Sequence, residues 1–222
     1  MKIFVAGATG ATGQRIVNIL VDRQIPVRAL VRDRSQAQNI LPQGVDLIQG
    51  DVSDSLALQE ALGDSTILLC ATGARPSLNP SGPLSVDYLG VKNLVKAAQA
   101  KKIQQFVLVS SLCVSQLFHP LNLFWFILFW KLQGEKALQQ SGIPYTIVRP
   151  GGLLNEDRPG NVVLQGADTL FEGSIPRTQV AQVCVEALFC PEARNKVVEI
   201  VSRGDAVAKP WSELFAQVPA FH

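Results

Sequence analysis

The sequence has few of the residues that build metal sites, disulfide frameworks or nucleic-acid-binding surfaces. Its 222 residues include only two histidines and four cysteines, and no two cysteines have C-x-x-C spacing. We therefore expect no metal site and interpret the cysteines as buried apolar residues in a reducing compartment. The formal net charge is only +2, with basic residues spread along the chain, which argues against nucleic acid as a partner.

Long apolar runs are also missing. The apolar stretch Leu123–Trp130 has eight residues, whereas a membrane-spanning helix needs about 20. Because the first predicted strand begins at residue 2, we expect no signal peptide. Hydrophobic residues make up 47% of the chain, which is enough for one domain with a large core.

A glycine-rich turn lies at the start of the chain. A short apolar strand leads into Gly7, Gly10 and Gly13, and a helix with apolar periodicity follows. Gly7 would allow the sharp turn, Gly10 the approach of a pyrophosphate, and Gly13 close packing of helix on strand. The helix would present free N–H groups and its positive dipole end to an anion, so the spacing predicts a dinucleotide phosphate site. The alternative is a turn that needs glycine for its geometry alone.

The rest of the chain alternates predicted strands with predicted helices. Further strands are expected at residues 26–32, 45–49, 66–71, 106–110, 146–148 and 197–201. This alternation predicts a doubly wound parallel sheet, the Rossmann fold, with about seven strands. We expect one domain over residues 1–222, in which residues 151–222 add a small C-terminal lobe for the substrate. Arg177 or Thr178 could face a substrate there, although capping of the next helix is the expected role of Thr178.

The residues that follow the second predicted strand favour NADP(H) over NAD(H). Arg32 falls at the strand end and Arg34 two residues later, where an arginine accepts the adenosine 2′-phosphate in NADP sites. Asp33 is a contrary signal, because an acidic residue near this position binds the ribose hydroxyls in NAD sites. The alternative is a pair of solvated surface arginines.

The chain resembles the atypical short-chain dehydrogenase/reductase family in its glycine turn and in four further segments, Val31–Asp33, Gly50–Val52, Ala71–Gly73 and Asp87–Leu94. Two later segments, Lys131–Leu138 and Ser141–Leu153, are similar to the NAD(P)H-binding subgroup of that family. This subgroup includes the chloroplast Tic62-like proteins, their cyanobacterial relatives and the biliverdin/flavin reductases. The resemblance covers nearly the whole chain.

The resemblance implies cofactor contacts at the carboxyl ends of the strands. The residues that would hold the pyrophosphate are Gly7, Thr9, Gly10, Thr12 and Gly13. Those that would lie along adenine and the inner ribose are Asp51, Val52, Ala71, Thr72 and Gly73. Those on the nicotinamide side would be Ser110, Ser111, Lys131, Pro150 and Gly151. For each of these residues except Lys131, the alternative is ordinary turn chemistry.

The sequence departs from the family at the catalytic pair, Tyr-x-x-x-Lys on one helix, in which the tyrosine exchanges a proton with the substrate oxygen. Lys131 fits the lysine position, but four residues earlier stands Ile127, which cannot transfer a proton. We therefore expect ordinary ketone and aldehyde reduction to be absent or very slow. Lys131 and Ser111 are the candidate catalytic residues. Two interpretations of Lys131 stay open: it holds the cofactor ribose, or it only pairs with Glu135 one turn away.

The aromatic segment Leu123–Trp130 is the second unusual feature. On a continuous helix its side chains would point outward at steps of about 100°, so one sheet could not bury all of them. An exposed aromatic patch marks a hydrophobic ligand, a partner or a membrane surface, whereas a fully buried helix end is the alternative.

Two functions therefore stay open. The first is an NADP(H)-dependent reductase of a quinone, a flavin or another conjugated acceptor. The second is a non-catalytic NADP(H)-binding protein that senses redox state or aids assembly while docked on a photosynthetic or other membrane complex through Leu123–Trp130. We expect the protein in the cytoplasm or stroma, or peripherally at the thylakoid or another membrane.

Overall fold

Short apolar segments form the strands of a central sheet. The computed structural model describes residues 1–74, 81–123 and 125–220. The strands in these residues are β1 (Ile3–Ala6), β2 (Val27–Val31), β3 (Asp46–Gln49), β4 (Ile67–Cys70), β5 (Gln105–Val109), β6 (Tyr145–Pro150), β7 (Gly152–Leu154), β8 (Asn161–Gly166), β9 (Ser174–Pro176) and β10 (Lys196–Arg203). Eight of them form one sheet in the order β3-β2-β1-β4-β5-β6-β10-β8. All neighbours in this sheet are parallel except β10 and β8, which confirms the predicted Rossmann fold.

Helices cover both faces of this sheet. The α-helices are α1 (Ala11–Asp22), α2 (Arg34–Ile40), α3 (Ala57–Leu62), α4 (Val91–Ala100), α5 (Ile127–Gln139), α6 (Arg177–Glu186) and α7 (Trp211–Ala216). A π-helix at Leu84–Gly90 leads directly into α4, and short 3₁₀ helices lie at Pro120–Leu123 and Pro191–Ala193. None of the helices in the described residues is long and apolar enough to cross a membrane.

The side chains of β1 show how the core is divided between the two faces. Ile3 and Val5 pack in one cluster, with the buried faces of α1 and α6. Phe4 and Ala6 pack in the other, with α3, α4 and α5. This alternation follows from the two-residue period of a strand, and burial on both faces explains why β1 is entirely apolar.

The position of β1 also sets the place of a ligand site. It pairs with β2 on one side and with β4 on the other. The strands that follow β1 therefore extend the sheet first toward one edge and then, from β4, toward the other edge. Ligands of open parallel sheets bind beside such a reversal, beyond the carboxyl ends of the strands.

The C-terminal third holds more strands than the sequence predicts. All seven predicted strands are present, and β10 lies where the last was expected. In addition, β8 adds an antiparallel edge to the main sheet, while β7 and β9 form a separate parallel pair. The expectation that Thr178 caps the next helix is wrong, because Pro176 is the N-cap of α6.

The aromatic segment is not one continuous helix. Trp125 and Phe126 have left-handed backbone angles, with φ of 58° and 57°, and α5 begins only at Ile127. The prediction of a helix that runs through the whole of Leu123–Trp130 is therefore wrong. Phe124 lies outside the described residues.

Candidate functional site

A cleft of about 290 Å³ lies at the carboxyl ends of β1 to β4. Nine of the predicted cofactor residues line it, namely Gly7, Thr9, Gly10, Arg32, Asp51, Val52, Ala71, Thr72 and Gly73. Five further lining residues were not predicted, namely Leu30, Gly50, Ala74, Gly82 and Val86. These five are small or apolar residues next to predicted positions or at the π-helix, and no chemical signal singles them out in the sequence.

The glycine turn has the geometry that its spacing predicts. Gly7 has a φ of +83°, and a Cβ there would lie 2.6 Å from the carbonyl carbon of Ala71. A Cβ on Gly13 would lie 2.1 Å from the Gly7 carbonyl oxygen, so only glycine allows α1 to approach the turn this closely. Gly10 is the N-cap of α1 and, because it has no side chain, makes no side-chain cap bond to the first N–H groups of the helix. The cradle therefore fits a dinucleotide phosphate.

The turn after β2 separates the two opposing signals for the cofactor type. The Asp33 carboxylate is the N-cap of α2, accepting bonds from the Gln36 N–H at 2.9 Å and the Ser35 hydroxyl at 2.7 Å. These bonds hold the pKa of Asp33 below its ordinary value. Arg32 lines the cleft, whereas Arg34 is an exposed residue in the first turn of α2 and does not line it.

Lys131 makes an ion pair other than the one weighed from the sequence. Its Nζ lies 2.7 Å from Oδ1 of Asp87, whose side chain is 1% exposed. The other oxygen of Asp87 accepts a bond from the Ala74 N–H at 3.2 Å. A Cβ on Gly73 would lie 3.7 Å from the Lys131 ammonium, which places this ammonium beside the cleft. The interpretation that Lys131 only pairs with Glu135 is wrong, because Glu135 binds an arginine.

Neither tyrosine replaces the missing catalytic one. Tyr88 stacks on Trp130, with ring centroids 5.9 Å apart, and does not line the cleft. Tyr145 is the buried first residue of β6, at the end of that strand opposite the cleft. Ile127 is the first residue of α5 and packs against a small apolar cluster. No tyrosine proton donor therefore lies at the expected place.

The predicted nicotinamide side contains a buried hydroxyl. The Oγ of Ser110, directly after β5, has no hydrogen-bond partner among the described residues. Leaving such a group unpaired costs about 1–3 kcal/mol, so a ligand bond at Ser110 would restore stability. The adjacent Ser111 is half-buried. Pro150 ends β6. A Cβ on Gly151 would lie 2.6 Å from the carbonyl oxygen of Gly173, so the two backbone segments approach closely here.

Eight of the predicted site residues do not line the 290 Å³ cleft, namely Thr12, Gly13, Arg34, Ser110, Ser111, Lys131, Pro150 and Gly151. Gly13 contributes by letting α1 pack closely on the glycine turn. Thr12 is buried, and its hydroxyl accepts a bond from Arg177 at 3.3 Å.

A buried ion cluster that the sequence did not predict joins α5 to the two strands beyond β5, namely β6 and β10. Arg149, with a side chain 2% exposed, binds Glu135 at 2.7 Å and Glu199 at 3.3 Å. Burial opposes the charge of Arg149, but the bonds to Glu135 and the negative charges of Glu135, Asp168 and Glu199 together outweigh burial and raise the pKa of Arg149. Glu199 accepts three backbone N–H bonds from residues 168–170. The cluster therefore fixes this loop, which also bonds Ser115 through Asp168 at 2.6 Å.

An exposed surface that we call the apolar segment comprises the described residues of 117–126. Its exposed large side chains are Leu117, Phe118, Leu121, Leu123, Trp125 and Phe126. Phe118 is 98% exposed and Phe126 57%. Phe129 and Trp130 are instead half-buried and pack edge to face. Part of the predicted aromatic patch is thus exposed, and the rest packs on the π-helix.

Comparisons with known proteins agree with the cleft. An NAD(P)H-binding family model matches residues 7–191. An uncharacterised chloroplast protein of Arabidopsis thaliana is 46% identical, over 98% of this chain and 82% of its own length. The chloroplast protein TIC 62 of Pisum sativum is 35% identical over 98% of this chain, which spans only 46% of that relative. Sanguinarine reductase of Eschscholzia californica is 30% identical, over 98% of this chain and 96% of its own length.

A solved structure supports the fold. A putative NAD-dependent epimerase/dehydratase from Bacillus halodurans superposes with a TM-score of 0.86, covering 98% of this chain and 99% of its own. At 24% sequence identity, this similarity concerns the architecture alone.

Proposed function

Since this chain belongs to the NAD(P)H-binding family of atypical short-chain dehydrogenase/reductase proteins, we propose that it is an NADPH-dependent reductase of a conjugated acceptor, such as a quinone or a flavin. The observation that carries the proposal is the pairing of a nucleotide cleft with Ile127 at the place of the usual proton donor. The similarity to a sanguinarine reductase over nearly the whole of both chains supports a reductase.

The preference for NADPH rests on the turn after β2. Arg32 brings a guanidinium to the cleft, and a guanidinium binds a phosphate through two parallel hydrogen bonds. Asp33 uses Oδ1 in the cap of α2, and this capping role competes with the binding of ribose hydroxyls. This arrangement favours a 2′-phosphate over a free hydroxyl.

The residues beside the cleft would divide the work of binding and orientation. When bound, the reduced nicotinamide supplies a hydride. Lys131, fixed by Asp87, would hold the nicotinamide ribose, and the Ser110 hydroxyl would bond the nicotinamide side. Ser111 is the candidate to contact the acceptor. Because Ile127 offers no proton, the acceptor must be one whose conjugated ring takes up charge and later draws a proton from water.

The experiment is a panel of acceptors in which the loss of NADPH absorbance is followed. We expect turnover with some quinones or flavins and little with simple ketones and aldehydes. An Ile127→Tyr variant restores the family pair four residues before Lys131 and should raise carbonyl reduction selectively, with Ile127→Phe as the matched control. NADPH binding without turnover of any acceptor would contradict the reductase, and robust carbonyl reduction by the wild type would contradict the proton argument.

The apolar segment favours a second function, a non-catalytic NADP(H)-binding protein that docks on a membrane complex. An exposed cluster of large apolar side chains is unfavourable in water and is typical of a surface that a partner or a membrane covers. The chloroplast relatives make the stromal face of a thylakoid a suitable place.

The docking function can be tested by co-sedimentation with photosynthetic membranes. A variant with Phe118→Ser and Phe126→Ser should lose co-sedimentation but keep NADPH binding. Phe189→Ser is the matched control. Phe189 is an exposed phenylalanine too, at 46%, but it lies under Arg23, away from the apolar segment. Unchanged sedimentation of the double variant would contradict docking through this segment.

A further inference from the structure

Two arginines from distant parts of the chain meet beside the first turn of α1. Arg177, the first residue of α6, donates from Nη1 to the Thr12 hydroxyl at 3.3 Å. Arg15 lies one turn further along α1 and donates from Nε to the Thr178 hydroxyl at 3.3 Å. The C-terminal segment thus brings a second guanidinium to the helix that begins at the glycine turn.

No carboxylate in the described part of the chain neutralises the positive charge of this pair. Besides the two hydroxyls, the acceptors are the carbonyl oxygens of Ala11 and Asn155 for Arg15, and the amide oxygen of Asn155 for Arg177. Among the described residues, no carboxylate lies within 4.0 Å of either guanidinium. Partial burial and the neighbouring charge of Arg15 lower the pKa of Arg177. Other arginines of the chain, such as Arg28 and Arg149, do have carboxylate partners.

The N-termini of α1 and α6 add to the positive electrostatic potential of the two arginines. Neither α1 nor α6 has a side-chain cap or an acidic residue in its first turn. By contrast, Asp33 caps α2. Two uncapped helix starts and two unpaired cations therefore surround Thr12, next to the predicted pyrophosphate cradle. An anion there would offset the repulsion between Arg15 and Arg177.

We propose that Arg177 is a pyrophosphate-binding residue of the cofactor site, contributed by the C-terminal segment, with Arg15 positioning it through Asn155. This assignment rests on the proposed cofactor binding and adds a specific contact to it. It divides the two phosphate positions of NADPH between two arginines. Arg32 would bind the 2′-phosphate, and Arg177 would bind the pyrophosphate, which NADPH and NADH share.

The test uses fragments of the cofactor as probes in titration calorimetry. ADP-ribose carries the pyrophosphate without a 2′-phosphate, whereas 2′-AMP carries the 2′-phosphate without a pyrophosphate. Arg177→Gln should weaken both NADPH and ADP-ribose roughly tenfold or more, the loss of one charge-assisted bond, and should leave 2′-AMP unchanged. Arg177→Lys should recover part of the affinity, because it keeps the charge without the fork. Arg32→Gln should give the opposite pattern, weakening NADPH and 2′-AMP while sparing ADP-ribose.

The matched control separates ligand contact from helix packing. Arg23 pairs with Glu186 and joins α1 to α6 at the other end of the same two helices. Arg23→Gln should therefore perturb that packing without changing the affinity for any probe. Wild-type affinity for ADP-ribose in both Arg177 variants, or an equal loss in Arg23→Gln, would overturn the assignment. Failure of the wild-type protein to bind NADPH would overturn the proposed function as well, which distinguishes the two failures.

Discussion

Replacing Arg32 by glutamine should remove the preference for NADPH while leaving NADH binding intact. Arg32 is the cationic side chain that the turn after β2 presents to the cleft, since Arg34 is the first residue of α2 and does not line the cleft. Glutamine keeps hydrogen-bonding capacity and approximate length but removes the charge. The substitution therefore tests the charge alone.

The magnitude follows from the exposure of the side chain. A hydrogen bond to a charged group contributes about 1.5–3 kcal/mol, and the lower end applies here because Arg32 is exposed to solvent. That value corresponds to roughly a tenfold weaker affinity for NADPH. High salt should reduce the preference of the wild type for the same reason. The nearby Asp51 carboxylate, whose pKa is lowered mainly by the Ser53 N–H bond and also by Arg32, should gain no new role in the variant.

The assay is calorimetric titration of the wild type, Arg32→Gln and Asp33→Asn with NADPH and NADH. Asp33→Asn keeps a capping side chain on α2 while removing its charge, so NADH affinity should not fall. Equal affinities of the wild type for the two cofactors would refute the assignment of Arg32. A selective loss of NADH binding in Asp33→Asn would show that this carboxylate serves ribose and not only the helix cap.

Three further substitutions or treatments test the core beneath the site. Gly13→Ala should lower the free energy of unfolding by about 1–3 kcal/mol and weaken NADPH binding, because its Cβ would stand 2.1 Å from the Gly7 carbonyl oxygen; denaturant titration measures the first effect. Arg149→Met should cost about 3–5 kcal/mol in the same assay, since it leaves two buried carboxylates without their cation. Cys184 should resist alkylation in the folded protein, as judged by intact mass, because burial raises the pKa of its thiol to about 12.

The part of the fold that depends on local pattern was predictable. Four apolar residues in a row, followed by three regularly spaced glycines, are sufficient to place β1, the turn and α1. The same glycines fixed the location of the cleft, and the match of the family model confirms the resemblance inferred from the residues. By contrast, β8 lies at the sheet edge, where only two of its six residues are buried, and its apolar run is only three residues long.

The aromatic segment shows a limit of periodicity. Trp125 and Phe126 adopt left-handed backbone angles that neither residue type favours. The sequence pattern therefore predicts a helix at a place where the chain in fact makes a turn. The Asn122 side chain accounts for the difference. It accepts bonds from the N–H groups of Leu128 and Phe129 and so satisfies the start of α5 from outside the helix. A cap supplied from several residues upstream of an irregular turn is not visible in a helical pattern.

The contacts that define the candidate site most sharply are those between residues far apart in the chain. Glu199 and Arg149 lie on neighbouring strands, and Glu135 reaches them from α5, so only the folded sheet brings these charges together. Arg177 reaches Thr12 across 165 positions of sequence in the same way. In both cases the C-terminal third, which has no glycine signature of its own, makes contacts that no local sequence pattern reveals. The glycine turn therefore identifies the kind of ligand, while the contacts that the C-terminal third makes with the rest of the chain are visible only in the folded structure.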